Sequence, residues 1–408
     1  MQKDEITDKI YKLTENDILK ADTENLQDIL KPYQHGSIAI AQINSIVGDI
    51  EYNAKKIVHY IKQAQNLGIE TVLFPELALV GCPFGDIIDK YPNIASENVK
   101  WLKQIAKITI KTTAVVGFLE PIENIYGKYY DSVAILQDGK IKKIIRKSYS
   151  TGCIEFNDYK YIAPAKLEEQ SNKINIVIGE DCLKSGDLLH QEIIKSAKNK
   201  PELILICSSS VSKCGKEEVK NKYLSDIAKE VKIPIAYINR AGAVDSASFD
   251  GASRLYDAQG ELIARAKSFC EQFFIINPQR NSLKVYPLAG NSGINNEKFT
   301  LNYEPDLERT YCTIIQGIRD YFQKNGFERA VLGLSGGLDS TVCAVLLVDA
   351  LGAENVFGVS MPSKITSQSS KNDAQILAQN LGIGFTQAPI KDMFDTLESF
   401  YLINKTDN

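Results

Sequence analysis

None of the eight cysteines stands in a C-x-x-C pair, so the spacing that builds zinc sites is missing. Scattered thiols of this kind suit a reducing cytoplasm, where they stay free. No apolar run approaches the length of a membrane span. Residues 1–20, MQKDEITDKIYKLTENDILK, are too charged to hold the apolar stretch of a secretory signal. Positive charge is not in excess either. Lys and Arg number 47 against 51 acidic residues, a net charge of −4, which gives no reason to expect nucleic-acid or membrane-surface binding. Internal repeats and low-complexity tracts are lacking. Two common phosphate-binding signatures, G-x-x-x-x-G-K-[ST] and G-x-G-x-x-G, are also missing around the glycine-rich stretch near residue 335.

What is there begins with length: 408 residues are enough for two hydrophobic cores. Residues 1–36 form a charged N-terminal extension with a weak helical pattern (Ile10, Leu13, Ile18, Leu26, Ile29, Leu30) and no visible chemistry. From Ser37 to residue 277 strand-like runs follow one another: SIAIAQIN, TVLFPEL, TTAVVGFLE, YYDSVAILQDG, KINIVIGED, LILICSSS, IPIAYINR and ELIARAK. Helical stretches lie between several of them, notably 53–67, where Ile57, Val58, Ile61 and Ala64 recur at helical spacing before Gly68. VAILQDGKIKKII is a hairpin signal with Asp138-Gly139 at its turn. The pattern predicts a mixed, layered α/β domain. The polar stretch 278–305 has no sustained period and is expected to link domains. Residues 306–408 then predict a helix at 306–325, strands at 330–334, 355–361 and 384–389, and helices at 340–351, 369–381 and 392–402.

The most telling segment opens that last region. Val-Leu-Gly-Leu leads into Ser335-Gly336-Gly337-Leu338-Asp339-Ser340, and an apolar helix closed by Gly352 follows. Strand, glycine loop and helix place several backbone N–H groups around a phosphate at a positive helix end. This string resembles the pyrophosphate loop of ATP pyrophosphatases, which adenylate an oxygen of the substrate and release pyrophosphate. The resemblance implies ATP contacts from Gly333, Leu334, Ser335, Gly336, Gly337, Leu338, Asp339 and Ser340, and Mg²⁺ held by Asp339.

In the earlier domain three strand ends carry chemistry. They are Phe74-Pro75-Glu76-Leu77, Lys147 after IKKIIR, and Ile178-Gly179-Glu180-Asp181-Cys182. They resemble the Glu, Lys and Cys stations of the nitrilase, or carbon–nitrogen hydrolase, superfamily. There a thiolate attacks an amide carbonyl, a glutamate moves the proton, and a lysine stabilises the oxyanion. Asn239, Phe249-Asp250-Gly251 with Ser253, and Asp257-Ala-Gln-Gly260 extend the match. A nitrilase-like α-β-β-α sandwich followed by a partial parallel-sheet pyrophosphate-loop domain resembles one family, glutamine-dependent NAD(+) synthetase, over residues 37 to 402. Met361-Pro362-Ser363 and Ser367 match the stretch near its adenine pocket, Met361 being the expected contact. The resemblance implies ATP-dependent amidation of deamido-NAD(+) to NAD(+), with AMP and pyrophosphate released and ammonia drawn from glutamine. It also admits a homo-oligomer.

The chain departs from that family in two ways. Aligned on Glu180-Asp181, the family's nucleophilic cysteine falls on Gly179, which has no side chain to attack with. Cys182 is a weak substitute, three residues further on and about 10 Å away in extended chain. The glutamine contacts are expected at Ser210 and Lys216, while Cys153 replaces a family tyrosine. Glu76 and Lys147 are the expected catalytic pair, or else a vestigial strand-end salt bridge. Members of the family also continue past the position of Asn408, so a C-terminally truncated synthetase domain is expected, with the pyrophosphate-loop strand at an open sheet edge. Three readings stay open: a synthetase that has lost its glutaminase step, an inactive relic or binding scaffold, and an ammonia-dependent synthetase completed by a separate chain.

Overall fold

The computed structural model describes residues 36–149, 160–166, 169–170, 172–179, 186–279, 282–288, 304–363 and 366–406. The chain divides into two units, Met1–Arg309 and Thr310–Asn408. Residues 1–35, Cys153, Glu180, Asp181 and Cys182, for which the sequence raises expectations, lie outside the described residues.

In the first unit the strands alternate apolar faces at period two, so each sheet buries both sides. β1 (Ile38–Gln42) leads to helix α1 (Ile50–Asn66), β2 (Thr71–Leu73), a short α2 (Gly85–Ile88), α3 (Ile94–Ile108), β3 (Thr113–Pro121), β4 (Tyr129–Gln137) and β5 (Lys140–Arg146). β6 (Ile174–Ile178), α4 (Gly186–Ala197), β7 (Leu203–Ser208), α5 (Lys216–Val231) and β8 (Ile235–Asn239) follow. Short strands β9 (Ala241–Val244), β10 (Ala247–Asp250), β11 (Arg254–Tyr256) and β12 (Leu262–Arg265) precede β13 (Gln272–Gln279) and β14 (Ser282–Leu288). The larger sheet has the order β14-β13-β1-β2-β3-β4-β5 and the smaller β12-β11-β8-β7-β6. On β1, Ile38 and Ile40 face Ile176, Ile178, Leu205 and Ile238 between the sheets, while Ala39 and Ala41 face α1 and α3. The outer face of the smaller sheet packs Val177, Ile204 and Ile206 against Leu189 of α4 and Leu224 of α5. This is the expected α-β-β-α sandwich.

Local chemistry explains the elements that matter for the site. Asp49 caps α1 by accepting the Tyr52 N–H at 3.0 Å. Ile50, Ile57 and Ile61 then bury one stripe, each side chain contributing about 1.5–3 kcal/mol. Asn53 on the same helix is buried but fully used. It pairs with the backbone of Ile46 and donates to Leu79 O at 3.1 Å, tying α1 to the turn after β2. Asp138 and Gly139 both have positive φ (51° and 73°), as the two-residue hairpin turn between β4 and β5 requires.

The stretch 278–305, expected to be a linker, contributes β14 instead: seven of its residues pair antiparallel with β13. The strand sits at the outer edge of the larger sheet, where Pro287, which has no N–H for the ladder, is tolerated because among the described residues only one side of the strand is paired. Residues 289–303 lie outside the described residues.

Helix α6 (Asp306–Asn325) crosses the boundary between the units. The second unit continues with β15 (Ala330–Gly333), α7 (Leu338–Leu351), β16 (Val356–Ser360), α8 (Gln368–Leu381), β17 (Gly384–Gln387) and α9 (Lys391–Thr406). The three strands are parallel in the order β15-β16-β17. Leu334, Ala344, Val356, Ala374 and Ala378 form the small core. Among the described residues β15 pairs only with β16, and Val331 on it is 71% exposed, so the expected open edge is present.

Candidate active sites in the two units

Phe74 prolongs the β2 ladder by donating to Val115 O at 3.0 Å, after which residues 76–80 turn back. The turn is pinned on β3 by the Leu79 N–H to Gly117 O bond of 3.0 Å, and Leu77 takes φ 50° within it. Gly117 allows this close approach. A Cβ there would lie 2.4 Å from Pro75 O and 2.5 Å from Leu77 N, both backbone atoms. Gly117→Ala should therefore lift the Glu76 turn and lower Tm by about 5 °C, an overpacking effect measured by calorimetry. An unchanged Tm would show that the turn can drift without cost.

Lys147 follows directly on β5, its N–H donating to Asp131 O at 2.9 Å. Its ammonium reaches Glu76 Oε1 at 2.7 Å and Asp131 Oδ2 at 3.5 Å, and all three side chains are at most 3% exposed. Glu76 Oε2 has no hydrogen-bond partner among the described residues. Ser209 Oγ donates to Glu76 O at 2.9 Å, so the end of β7 closes the site from the other sheet. The structure thus brings together Glu76 and Lys147, 71 residues apart. It adds Asp131, which sequence reading missed. Its signal was a single carboxylate inside the apolar strand YYDSVAIL.

Gly179 ends β6, its N–H donating to Cys207 O at 2.9 Å on β7. The space where a side chain would begin is taken. A Cβ on Gly179 would meet Leu189 Cδ1 at 2.6 Å and the Tyr149 hydroxyl at 2.7 Å. Tyr149 is itself buried beside Lys147, whose ammonium stands 5.4 Å from the ring centre. The nearest thiol on the neighbouring strand, Cys207, is fully buried. Burial, and then the carboxylates of Glu76 and Asp131, push its pKa well above the ordinary thiol range, so it stays protonated.

Ser210 and Lys216 also meet. Lys216 Nζ donates to Ser210 Oγ at 2.8 Å and to Val211 O at 3.2 Å. Asn239 holds the same loop from both sides, accepting from Ser210 N at 2.8 Å and donating to Ser210 O at 3.0 Å and to Asp250 Oδ1 at 3.1 Å. Ser253 Oγ accepts the Asn239 N–H at 3.1 Å. The separate sequence matches at 239, 250 and 253 are therefore one polar cluster behind Ser210.

In the second unit β15 hands over to α7 through the glycine loop. Leu334 is buried and its N–H donates to Val359 O at 2.8 Å, which anchors the loop to β16. Ser335 Oγ accepts the Gly337 N–H at 3.2 Å and lies 3.1 Å from Ser340 Oγ. Ser340 Oγ and Thr341 Oγ1 both donate to Gly337 O, at 3.0 and 2.9 Å. Gly336 has φ +78°, and a Cβ there would lie 2.3 Å from Ser370 O in the first turn of α8. The loop is thus seated against a second helix start. Met361 joins it: its Cε is 3.3 Å from where a Gly333 Cβ would be. Asp339 is exposed in the first turn of α7, and Leu338 is 77% exposed.

The two units together define a nitrilase-like sandwich joined to a pyrophosphate-loop α/β domain. Residues 37–174 match the carbon-nitrogen hydrolase family and residues 310–407 match NAD synthase. Over 385 residues the chain is 33% identical to a glutamine-dependent NAD(+) synthetase of Thermotoga maritima, covering 88% of this chain and 66% of that one. The Synechocystis enzyme of the same name is 32% identical, covering 89% and 66%. A solved glutamine-dependent NAD+ synthetase from Acinetobacter baumannii, in complex with ADP, superposes with a TM-score of 0.76 at 26% identity over 90% of this chain and 67% of that one. The chain belongs to the glutamine-dependent NAD(+) synthetase family, and it spans 66% of the length of these curated relatives.

Proposed function

We propose that the second unit binds ATP at the 335–340 loop and adenylates the carboxylate of deamido-NAD(+), with free ammonia rather than glutamine as nitrogen source. The observation that carries this is the loop itself. Backbone N–H groups and the Ser335 and Ser340 hydroxyls gather at the positive end of α7, seated on α8 through Gly336. In the adenylation step a carboxylate oxygen bonds to the α-phosphorus of ATP while the bond to the pyrophosphate leaving group breaks. Ammonia then attacks the acyl carbon, AMP leaves, and a proton passes to solvent to give the amide. A relative of this fold solved in complex with ADP supports nucleotide binding as the reading.

Mg²⁺ fits what the loop offers. Among the described residues no group of three or more His, Cys, Asp or Glu gathers as a metal cage. Mg²⁺, however, is commonly held by one or two carboxylates together with substrate phosphates. Asp339 supplies one such carboxylate beside the loop, and the ion would contribute neutralisation of phosphate charge there.

The first unit keeps the Glu76–Lys147 pair, yet Leu189 and Tyr149 occupy the place of a nucleophile. This supports a lost glutaminase step. A second reading, a scaffold that holds nucleotide without turnover, is favoured by the free edge of β15. In open α/β sheets ligands sit between diverging strand ends, and here only one side of β15 has a neighbour among the described residues. The test supplies ATP, Mg²⁺ and deamido-NAD(+) with either ammonium or glutamine and measures NAD(+). Product with ammonium alone, abolished by Gly336→Ala, is expected. ATP binding without product under either condition would establish the scaffold instead.

A further inference from the structure

Between the edge strands of the two sheets lies a cavity of about 220 Å³ that the glutamine chemistry does not use. β4 and β5 supply Tyr130, Lys143, Ile145 and Arg146, and β6 supplies Ile176 and Ile178. Glu192 of α4, with Ala165, Lys166 and Gln170, completes the lining. Glu76, Gly179, Ser210 and Lys216 take no part in it.

The walls are built rather than left over. Gln170 is buried and acts as a surrogate strand for β6, its amide donating to Ile176 O at 2.6 Å and accepting the Ile176 N–H at 2.9 Å. That fixes Ile176 and Ile178 as an apolar floor opposite Ile145. Arg146 is already committed, gripping both oxygens of Glu120 at 2.7 Å and stacking 5.2 Å from the Tyr130 ring. Lys143 and Lys166 are not. Among the described residues neither has an acidic partner, although Lys143 is half-buried. A half-buried lysine beside an apolar floor, with no acidic partner among the described residues, is the complement of a small amphipathic anion.

We propose that this cavity is a binding site for a small aliphatic carboxylate, its ionised end at Lys143 and Lys166 and its apolar body against Ile145, Ile176 and Ile178. Glu192 also lines the cavity. It is 4% exposed, and burial pushes its carboxyl up to about 7 against the opposing hydrogen bond from Ser148 and the charges of Lys147 and Lys195. The groups facing it are Ser148 and Lys147 after β5, Lys195 on its own helix, and Lys143, Arg146 and Lys166 across the cavity. Protonated, it tolerates a bound carboxylate and can donate to it. Ionised, it repels one.

Titration calorimetry of the full chain with isovalerate tests this, with 3-methylbutanol and 3-methylbutylamine as neutral and cationic matches. Isovalerate should bind with Kd of about 1 mM, the range open to so small a ligand, and the two matches should bind at least tenfold more weakly. The double variant Lys143→Gln/Lys166→Gln, altered at side chains outside the core, should stay folded and lose about tenfold or more in affinity, while Lys143→Arg should keep most of it. Raising the pH from 6 to 8 should weaken isovalerate several-fold as Glu192 ionises, and Glu192→Gln should remove that dependence. Equal binding of the alcohol, or undiminished binding by a folded double variant, would overturn the proposal. So would the lack of any saturable heat.

Discussion

Supplied with glutamine, the purified chain should release ammonia no faster than buffer alone, and Gly179→Cys by itself should not restore the activity. The first half follows from chemistry. Glu76 and Lys147 can shuttle a proton and steady an oxyanion, but neither is placed as an attacking atom while they pair at 2.7 Å. Removing the nucleophile of a well-studied serine hydrolase lowers its rate about a millionfold. The buried thiol of Cys207 offers no rescue, since its pKa is pushed up and its sulfur sits 3.7 Å from Phe74 O, shielded from solvent.

The second half follows from packing. A new Cβ at 179 begins within 2.6 Å of Leu189 Cδ1 and 2.7 Å of the Tyr149 hydroxyl, so a sulfur beyond it has no room until those groups move. Both are side-chain ends and can yield, at a cost of about 1–3 kcal/mol. We therefore expect Gly179→Cys to be folded, less stable, and slow to react with iodoacetamide. Gly179→Cys/Leu189→Ala should react at least tenfold faster, because deleting the isobutyl group reopens the space. Fast alkylation of the single variant would mean that the space was never closed. Ammonia release by the unaltered chain, lost in Glu76→Gln, would require a nucleophile elsewhere.

Much of this site was legible because strand ends announce themselves. An apolar run that stops at Pro75-Glu76, or at Lys147, marks where a chain leaves a sheet and where side chains can converge. The glycine at 179 was legible for the same reason. Its consequence was not, since Leu189 and Tyr149 approach it from an α4 helix and a post-β5 segment whose spacing says nothing about who fills a vacancy. Asp131 was hidden by the same logic. One carboxylate in a strand carries no partner list, and only the fold sets it 3.5 Å from Lys147. β14 escaped because SLKVYPL is a short run inside a longer polar stretch, and its Pro287 argues against a strand unless the strand lies at an edge. The parallel order of the second unit, by contrast, follows directly from short strands alternating with helices, which leave few other ways to connect.

The largest stability effect should come from a place no motif marks. Glu217, in the first turn of α5, is 2% exposed and meets Arg254 at 3.0 Å, Arg265 at 3.4 Å and Arg309 at 3.7 Å. Arg309 in turn holds Asp250 at 2.5 Å and Glu304 at 3.2 Å, and Arg265 holds Glu304 at 3.0 Å. Three acids thus balance three buried guanidinium groups, and Asp250 extends the network to Asn239 and the Ser210 loop. Burial alone would raise the Glu217 carboxyl. The charges of Arg254, Lys220, Arg265 and Arg309 outweigh it and hold the group well below the usual carboxylate range. A depressed folded pKa means that its contribution is fully present above the ordinary carboxylate value. It is lost only as the pH falls through the lower folded one. Near neutrality, then, Glu217→Ala leaves three arginines around an empty centre, and we expect a loss of about 3–5 kcal/mol. The single tryptophan, Trp101 on α3, lies in the first unit, so its fluorescence in a urea titration reads that unit alone. Replacing the whole centre, Glu217→Met with Arg254→Met, should cost less than Glu217→Ala, because no buried charge pair is left half-broken. A Glu217→Ala midpoint within about 1 kcal/mol of the unaltered chain would show that water, not Glu217, neutralises these arginines.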